Sequence, residues 1–537
     1  MKLLRSLRVR LFLVTWIASG LFFAFNIVRE HYPAFALVEH GDLRCDEWAG
    51  LSPDLFCNHI GMIPNSPIGD GHWYANNQVG ASIVAAPVLF LFRPLLDYLE
   101  TVGKRQAAAD RERASKGGEE GAPPKYDSAY PMRQKFMAEV RSRGLHLRFA
   151  AAAALCSLLV MAPLAGVLAL LVHAALLRMG IGVRAATRLA LTFPFVTPLL
   201  FRSAILNHNQ METVAAFASF VLIWPRAGEA PSSFGRRLGA GLLAGATLLF
   251  DFSGVVVLGA LALYAFVVES RREAGETSRA SGLRRMAPFT LGAALAVALL
   301  CFTQWWQFGD PFLPAQRWMP DAHFSVRGWH GFDWPDFGLL FDLLFSPNFG
   351  LFAFAPLLAL AFLPRRAALT GTAGAAGASG TFGASERRLC FGLVFFFLLF
   401  SAANQFSRLQ WNTGFRGLAP LVPFLFLLAA PRLAAWPLRT LALAGIHSVV
   451  LAMARATPPT APASPADPGD STVARCWSAL FDHGPSLPWL TVWRQTQPNG
   501  GPWWASFAAP LLITLAALLC LAIWRAGLRG AESEAAR

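Results

Sequence analysis

Five carboxylates, Asp42, Asp46, Glu47, Asp54 and Asp70, fall between two apolar runs in the stretch from Glu39 to Pro87. An aromatic, amide-rich strip (His72, Trp73, Tyr74, Asn76, Asn77, Gln78) follows them directly. A carboxylate just above a bilayer can take the proton of an acceptor hydroxyl as general base. Aromatic faces and amides suit a sugar, stacking on its C–H surface and bonding its hydroxyls. The segment from Gln304 to Asp336 adds Gln316, Arg317, His323, Arg327 and His330 among many Trp and Phe residues, and Asn404–Pro420 adds Arg408 and Arg416. Arg at that depth can grip a phosphate bidentately and stabilise it as a leaving group. A lipid-linked phosphosugar combines these three needs. Each feature also has an ordinary reading. Trp and Phe form interfacial belts, Arg snorkels to lipid phosphates, Asp70-Gly71 is a natural turn pair, and Asp54 after Ser-Pro can cap a helix. The sequence contains no phosphate-cradling Gly loop, HExxH or nucleophile elbow.

The elements that must position these residues are membrane helices. The 537 residues are 55% hydrophobic and 15% charged, and apolar runs near twenty residues recur throughout. That pattern predicts an all-α polytopic membrane protein forming a single domain over 1–537. The net charge of +14 sits mostly in short loops at membrane edges, the positive-inside signature, so nucleic acid is not expected as a partner. Seven Cys are too scattered for a disulfide framework, although Cys45 and Cys57 share the first loop and could pair.

Lys2, Arg5, Arg8 and Arg10 precede a first helix at 11–28 and hold the N-terminus in the cytoplasm. Segment 29–79 sets Arg29 and Arg44 against seven acidic residues and belongs outside as the first extracytoplasmic loop. A second helix is expected at 80–98, followed by a flexible cytoplasmic linker at 99–146. The run 147–177 spans, whereas 186–201, broken by Pro194 and Pro198, is not expected to cross fully. Asn207–Gln210 opens a helix at 211–224, where Asn207, His208 and Gln210 fit caps better than ligands. A hairpin over 238–268, hinged at Asp251, brings that carboxylate to the same outer side. Buried at membrane depth, Asp251 would be a functional candidate. This arrangement leaves Arg178, Arg184 and Arg188 on the wrong side for the charge rule. Basic loops at 271–285, 365–388 and 525–537 lie inside, and 306–338, 404–417 and 455–503 lie outside. About twelve spans result, with both termini cytoplasmic. No internal repeat is evident, which weakens an inverted-repeat transporter reading.

Several motifs in this order resemble those of the C-type integral-membrane glycosyltransferases, which use polyprenyl-phosphate-linked sugars and include dolichyl-phosphate-mannose mannosyltransferases and the lipid A aminoarabinose transferase. CDEW (Cys45–Trp48) is similar to the family's acidic first-loop motif, and Asp70–Pro87 to its entry into the second helix. FDFSG (Phe250–Gly254), FGDPF with PAQRWMP (Phe308–Pro320), SPNFGLFAFAP (Ser346–Pro356) and WNTGFRGLAPLVP (Trp411–Pro423) extend the likeness over most of the chain. The resemblance implies an inverting transferase working on the extracytoplasmic face, with Asp46 as catalytic base, and the Arg-rich, Lys-poor, Ala-rich usage points to a bacterial inner membrane. Glu47, Asp70, His72, Tyr74, Asn77, His208, Asp251, Gln316, Arg317, Arg408 and Arg416 are the expected substrate contacts. The partners implied are a polyprenyl-phosphate-linked sugar donor, a lipid, glycan or protein acceptor, and the bilayer. No cofactor is required, although a divalent metal could assist. The rival expectations are a lipid or solute transporter and a non-catalytic envelope-assembly protein.

Overall fold

Proline, glycine and polar residues cut the apolar chain into helices. The structure, a computed structural model, describes residues 6–52, 54–57, 70–115, 131–225, 232–271, 279–318, 327–329, 331–363, 382–412, 416–454, 471–495 and 502–535. Helix α1 (Leu7–Leu21) leads through an irregular segment into α2 (His31–Glu39). Two short antiparallel strands follow, β1 (Leu55–Cys57) and β2 (Trp73–Ala75), with Phe56 opposite Tyr74. Then come α3 (Gly80–Leu91), α4 (Arg93–Ser115) and α5 (Pro131–Ser142). A π-type turn at Ser157–Met161 joins α6 (His146–Cys156) to α7 (Ala162–Arg178). The middle of the chain holds α8 (Val183–Val196), α9 (Leu199–Arg202), α10 (His208–Ile223), α11 (Phe234–Phe250), α12 (Gly254–Arg271) and α13 (Arg279–Phe308). Beyond it lie α14 (Phe337–Phe345), α15 (Leu351–Phe354), α16 (Ala384–Ala403), α17 (Val422–Leu433) and α18 (Leu438–Ala454), and finally α19 (Thr472–His483), α20 (Pro488–Gln495) and α21 (Ala505–Ala535).

Among the described residues, four helical stretches are long and apolar enough to cross a membrane: His146–Arg178, Arg284–Phe308, Arg416–Leu433 and Ala505–Ala526. The first has 33 residues, about 50 Å at 1.5 Å per residue, against a hydrocarbon core of about 30 Å. Its excess length stands clear of the bilayer at one end. That end is α6, where Arg148 is buried between Glu39 at the close of α2 and Glu100 on α4, with its guanidinium over the Phe35 ring. Arg143 adds hydrogen bonds to the Glu47 and Ala49 carbonyls.

These contacts correct the expected path of the chain. Segments that touch cannot lie on opposite sides of a bilayer, so the helices within 99–146 share a side with the first loop. The expected crossing at 80–98 is instead α3 and α4, bent by 80°. The stretch 183–202, α8 and α9 with a break at Thr197, runs between the two ends of α10. It starts beside Arg178, which donates to the Trp224 carbonyl at the far end of α10, and ends at Asn207, which caps the near end by accepting from the Gln210 N–H. Arg178 and Arg236 thus share the Trp224 carbonyl, and Arg188 caps Ala434 at the end of α17. Arg10, near the start of α1, donates to the Trp524 carbonyl near the end of α21. Cysteines placed at Glu47 and Arg105 should react with an impermeant thiol reagent from one side of the membrane, and one at Arg184 from the other. Reaction of the Arg105 and Arg184 positions from a common side would overturn this arrangement.

Glycines let the helices behind the site pack closely. A Cβ at Gly241 would overlap the Phe289 carbonyl of α13, and one at Gly245 would stand 2.6 Å from the Ala293 carbonyl. Gly241→Val should cost about 1–3 kcal/mol or more, an overpacking penalty. Gly259→Ala, with open space around it, serves as control. Thermal unfolding in detergent would separate the two.

Candidate functional site

Polar residues at one end of the helices form a buried network. Glu30 ends the irregular segment after α1 and is buried (3% exposed), as is His208 at the start of α10. Their contact, Oε1 to Nδ1, is 2.6 Å. The other ring nitrogen of His208, Nε2, lies 3.2 Å from Oδ2 of Asp251, so the imidazole bridges two carboxylates. Asp251 stands where α11 must turn into α12. Its backbone N–H ends the first helix on the Thr247 carbonyl, and its Oδ1 accepts the Ser253 N–H at 2.8 Å. Ser253 Oγ in turn donates to Glu212, one turn along α10 from His208 and fully buried.

On the other side Arg29 Nε lies 3.6 Å from Glu30, and its Nη1 donates to Asn76 at 3.0 Å. Asn76 donates to Asp54 at 3.2 Å, each residue adjoining one strand of the two-stranded sheet. The network therefore runs from the first loop, through the end of α1, to α10 and the α11–α12 turn. Burial alone would push the Glu30 carboxyl up. The hydrogen bond and charge of His208, with Arg29 beside it, hold it at about 2. Asp251 behaves alike: burial is outweighed by His208 and the Ser253 contacts, again leaving it at about 2. Its side chain keeps 31% exposure while that of Glu30 keeps 4%, so Asp251 is the member open to a reactant.

Arg416 opens the segment leading into α17 and lies half-buried in the electric field of Arg29, Asp54, Glu30 and Asp251. It makes no hydrogen bond or ion pair with a described residue. Its N–H donors are therefore not taken up by a described carboxylate. Arg408 differs. Its guanidinium is held by Asp336 and by Gln405 Oε1 at 3.1 Å. The two arginines do not form a matched pair.

The remaining expected residues gather on the exposed face of the first loop. Asp46 accepts the Trp73 N–H on Oδ1 and contacts His72 Nδ1 with Oδ2, each at 2.7 Å. Asp70 accepts the His72 N–H at 3.1 Å and the Tyr74 hydroxyl at 2.8 Å. Tyr74 is buried against Phe308, which stacks on Trp318 beside Arg317, so the 306–318 segment docks onto the loop. Burial, then Asp70, pushes the Tyr74 phenol up. Asn77 is buried, with its amide on the Gln78 carbonyl. The Gln316 side chain lies outside the described residues, as do His323 and His330. Cys45 and Cys57 are free thiols because β2 runs between them, Trp73 facing Cys57 in register while accepting the Cys45 N–H.

Among the described residues, Glu39, His40 and Glu47 offer ligand atoms within 4.8 Å of one another. Glu39 is already paired with Arg148, and Lys104 bears on Glu47, so this trio fits a divalent metal poorly. Glu30, Arg29 and Glu212 did not stand out in the sequence as site residues. Their signals were present: a charge where an apolar run ends, and a Glu four residues after His208 inside another. Comparison with protein-family models, with curated proteins and with solved structures finds no match.

Proposed function

We propose that the protein is a membrane glycosyltransferase that moves a sugar from a polyprenyl-phosphate donor to an acceptor hydroxyl on the extracytoplasmic face of the inner membrane. The chain would cross about twelve times with both termini in the cytoplasm, in a C-type glycosyltransferase arrangement. The observation that carries the reading is Arg416, a cation with no hydrogen-bonding partner among the described residues, in the field of the partly open carboxylate of Asp251. The acceptor, a lipid, glycan or protein hydroxyl, would attack the anomeric carbon. As the new C–O bond forms, the bond to the phosphate oxygen breaks and the polyprenyl phosphate leaves with both electrons. Arg416, with Arg29, would hold that phosphate, and the hydroxyl proton would pass to a carboxylate.

Asp251 is preferred to Asp46 as the base because it lies in the field of Arg416, whereas Asp46 lies on the exposed face of the first loop; the oxygens of both are already engaged within the protein. The Asp46–His72 pair then fits acceptor binding. A transporter would need a polar path along the helices. The described buried charges instead fall at their two ends, the second group being Glu269 with Arg237 and Glu386 with Tyr264. The test is transfer from radiolabelled polyprenyl-phosphate sugars by purified Asp251→Asn and Asp46→Asn variants. The expected result is loss in the first and at most about a tenfold fall, a hydrogen-bond-sized effect, in the second. The reverse pattern would return the base to Asp46, and full activity of both would remove carboxylate catalysis from this site.

A further inference from the structure

Glu212 is a member of the buried network to which the proposed transfer gives no task. It lies on α10 with no exposed surface, and Asn209, three residues earlier on the same helix, is 2% exposed. That spacing sets the two side chains on one helix face, about 5–6 Å apart at Cβ. Glu212 Oε1 accepts the Ser253 hydroxyl at 3.1 Å. Its Oε2 and the Asn209 Oδ1 have no hydrogen-bond donor among the described residues. Charge points the same way. Arg29, His208 and Arg416 are set against Glu30, Asp54 and Asp251. The described charge that bears on Glu212 is the like charge of Asp251. A carboxylate sealed in without an opposite cation takes up a proton rather than stay charged. A proton on Oε2 removes that charge and gives Asn209 Oδ1 the donor it lacks.

We infer that Glu212 carries a proton at neutral pH, shares it with Asn209 and acts as a positioning residue for Asp251, an inference that rests on the reading of Asp251 as the base. Ser253 joins the two carboxyls, for its hydroxyl donates to Glu212 and its N–H donates to Asp251 Oδ1 at 2.8 Å. A neutral Glu212 holds that serine in place without repelling the ionised Asp251. The two acids thus divide their states, and Asp251 alone takes the acceptor proton.

The infrared spectrum of the purified protein at neutral pH tests this without any substrate, so its result stands apart from the transferase reading. The wild type should show the C=O stretch of a protonated carboxyl. Folded Glu212→Gln should lose that band, Asp251→Asn should keep it, and Asn209→Ala should move it because the acid loses its acceptor. Transfer from polyprenyl-phosphate sugars gives the second readout. Glu212→Gln keeps a neutral side chain of the same shape and should retain at least about tenfold more activity than Asp251→Asn. A band kept in Glu212→Gln and lost in Asp251→Asn would overturn the inference and take the base away from Asp251. No band difference between wild type and Glu212→Gln would also overturn it, leaving Glu212 ionised against a bound cation or water. A band unmoved in Asn209→Ala would remove the shared proton. Transfer as weak in Glu212→Gln as in Asp251→Asn would overturn the positioning role, making Glu212 itself a reacting carboxylate.

Discussion

Arg416→Ala should lower the affinity for undecaprenyl phosphate roughly 10- to 100-fold, because each hydrogen bond to a charged group contributes about 1.5–3 kcal/mol. The basis is that this guanidinium has no hydrogen-bonding partner among the described residues, although four charged groups surround it. Removing it therefore frees no buried carboxylate from an ion pair, and the loss should appear in ligand binding more than in folding. Arg416→Lys should fall between the two, since lysine keeps the charge but cannot form a bidentate fork. Arg408→Ala should leave phosphate binding within about threefold of wild type, because its guanidinium is already engaged by Asp336, which it helps hold below the ordinary carboxylate range after the Leu339 N–H. Native mass spectrometry of the three variants decides the matter. Equal losses in Arg408→Ala and Arg416→Ala would restore a two-arginine clamp.

The sequence made the all-α character and much of the outer face legible because composition and short polar motifs report them directly. Asn207 reads as a cap in isolation and is one, and the Asp251–Gly254 break reads as a hinge and is one. Their meeting was also legible, since both had to lie on one side of the bilayer. What the sequence hid is contact between distant segments. His208 looked like part of a cap, and only the approach of Glu30, 178 positions away, makes it a bridge. Asp46 drew attention as the acidic residue of a recognisable motif, but motif and burial part company: its carboxylate faces solvent at 46% exposure, whereas Glu30, at the end of an apolar run, is sealed in.

The path of the chain went astray for a related reason. Hydropathy alone reads 80–98 as a span, although Arg93 and Asp97 interrupt it where the helix bends. Its reading of 186–201 as broken holds, for α8 ends at Val196, two residues past Pro194, and Pro198 precedes α9. The misplaced span at 80–98 is what leaves Arg178, Arg184 and Arg188 on the wrong side for the charge rule. A violated charge rule was therefore the one sequence-level sign that the order of crossings needed revision.

His208→Ala should be the most destabilising single change in the site, at about 3–5 kcal/mol, the usual cost of breaking a buried ion pair from one side. It strands Glu30 and Asp251 together in the same buried region. The pH dependence should then invert. In the wild type both carboxyls are depressed to about 2, so their contribution is full above the ordinary carboxylate range and is lost as the pH falls from there toward 2. Without the imidazole, burial dominates and raises both carboxyls, so the variant should gain stability as the pH falls from neutral toward the ordinary carboxylate range. The two curves converge in acid and diverge at neutral pH. Thermal unfolding in detergent between pH 4 and pH 8 would follow this, with the Glu30→Gln, His208→Leu double variant expected to recover part of the loss by removing charge and partner together. A His208→Ala protein as stable as wild type at neutral pH would mean that the bridge does not hold the two carboxylates. Asp251 would then lose the group that keeps it ionised beside Arg416, and with it the argument for that residue as the base.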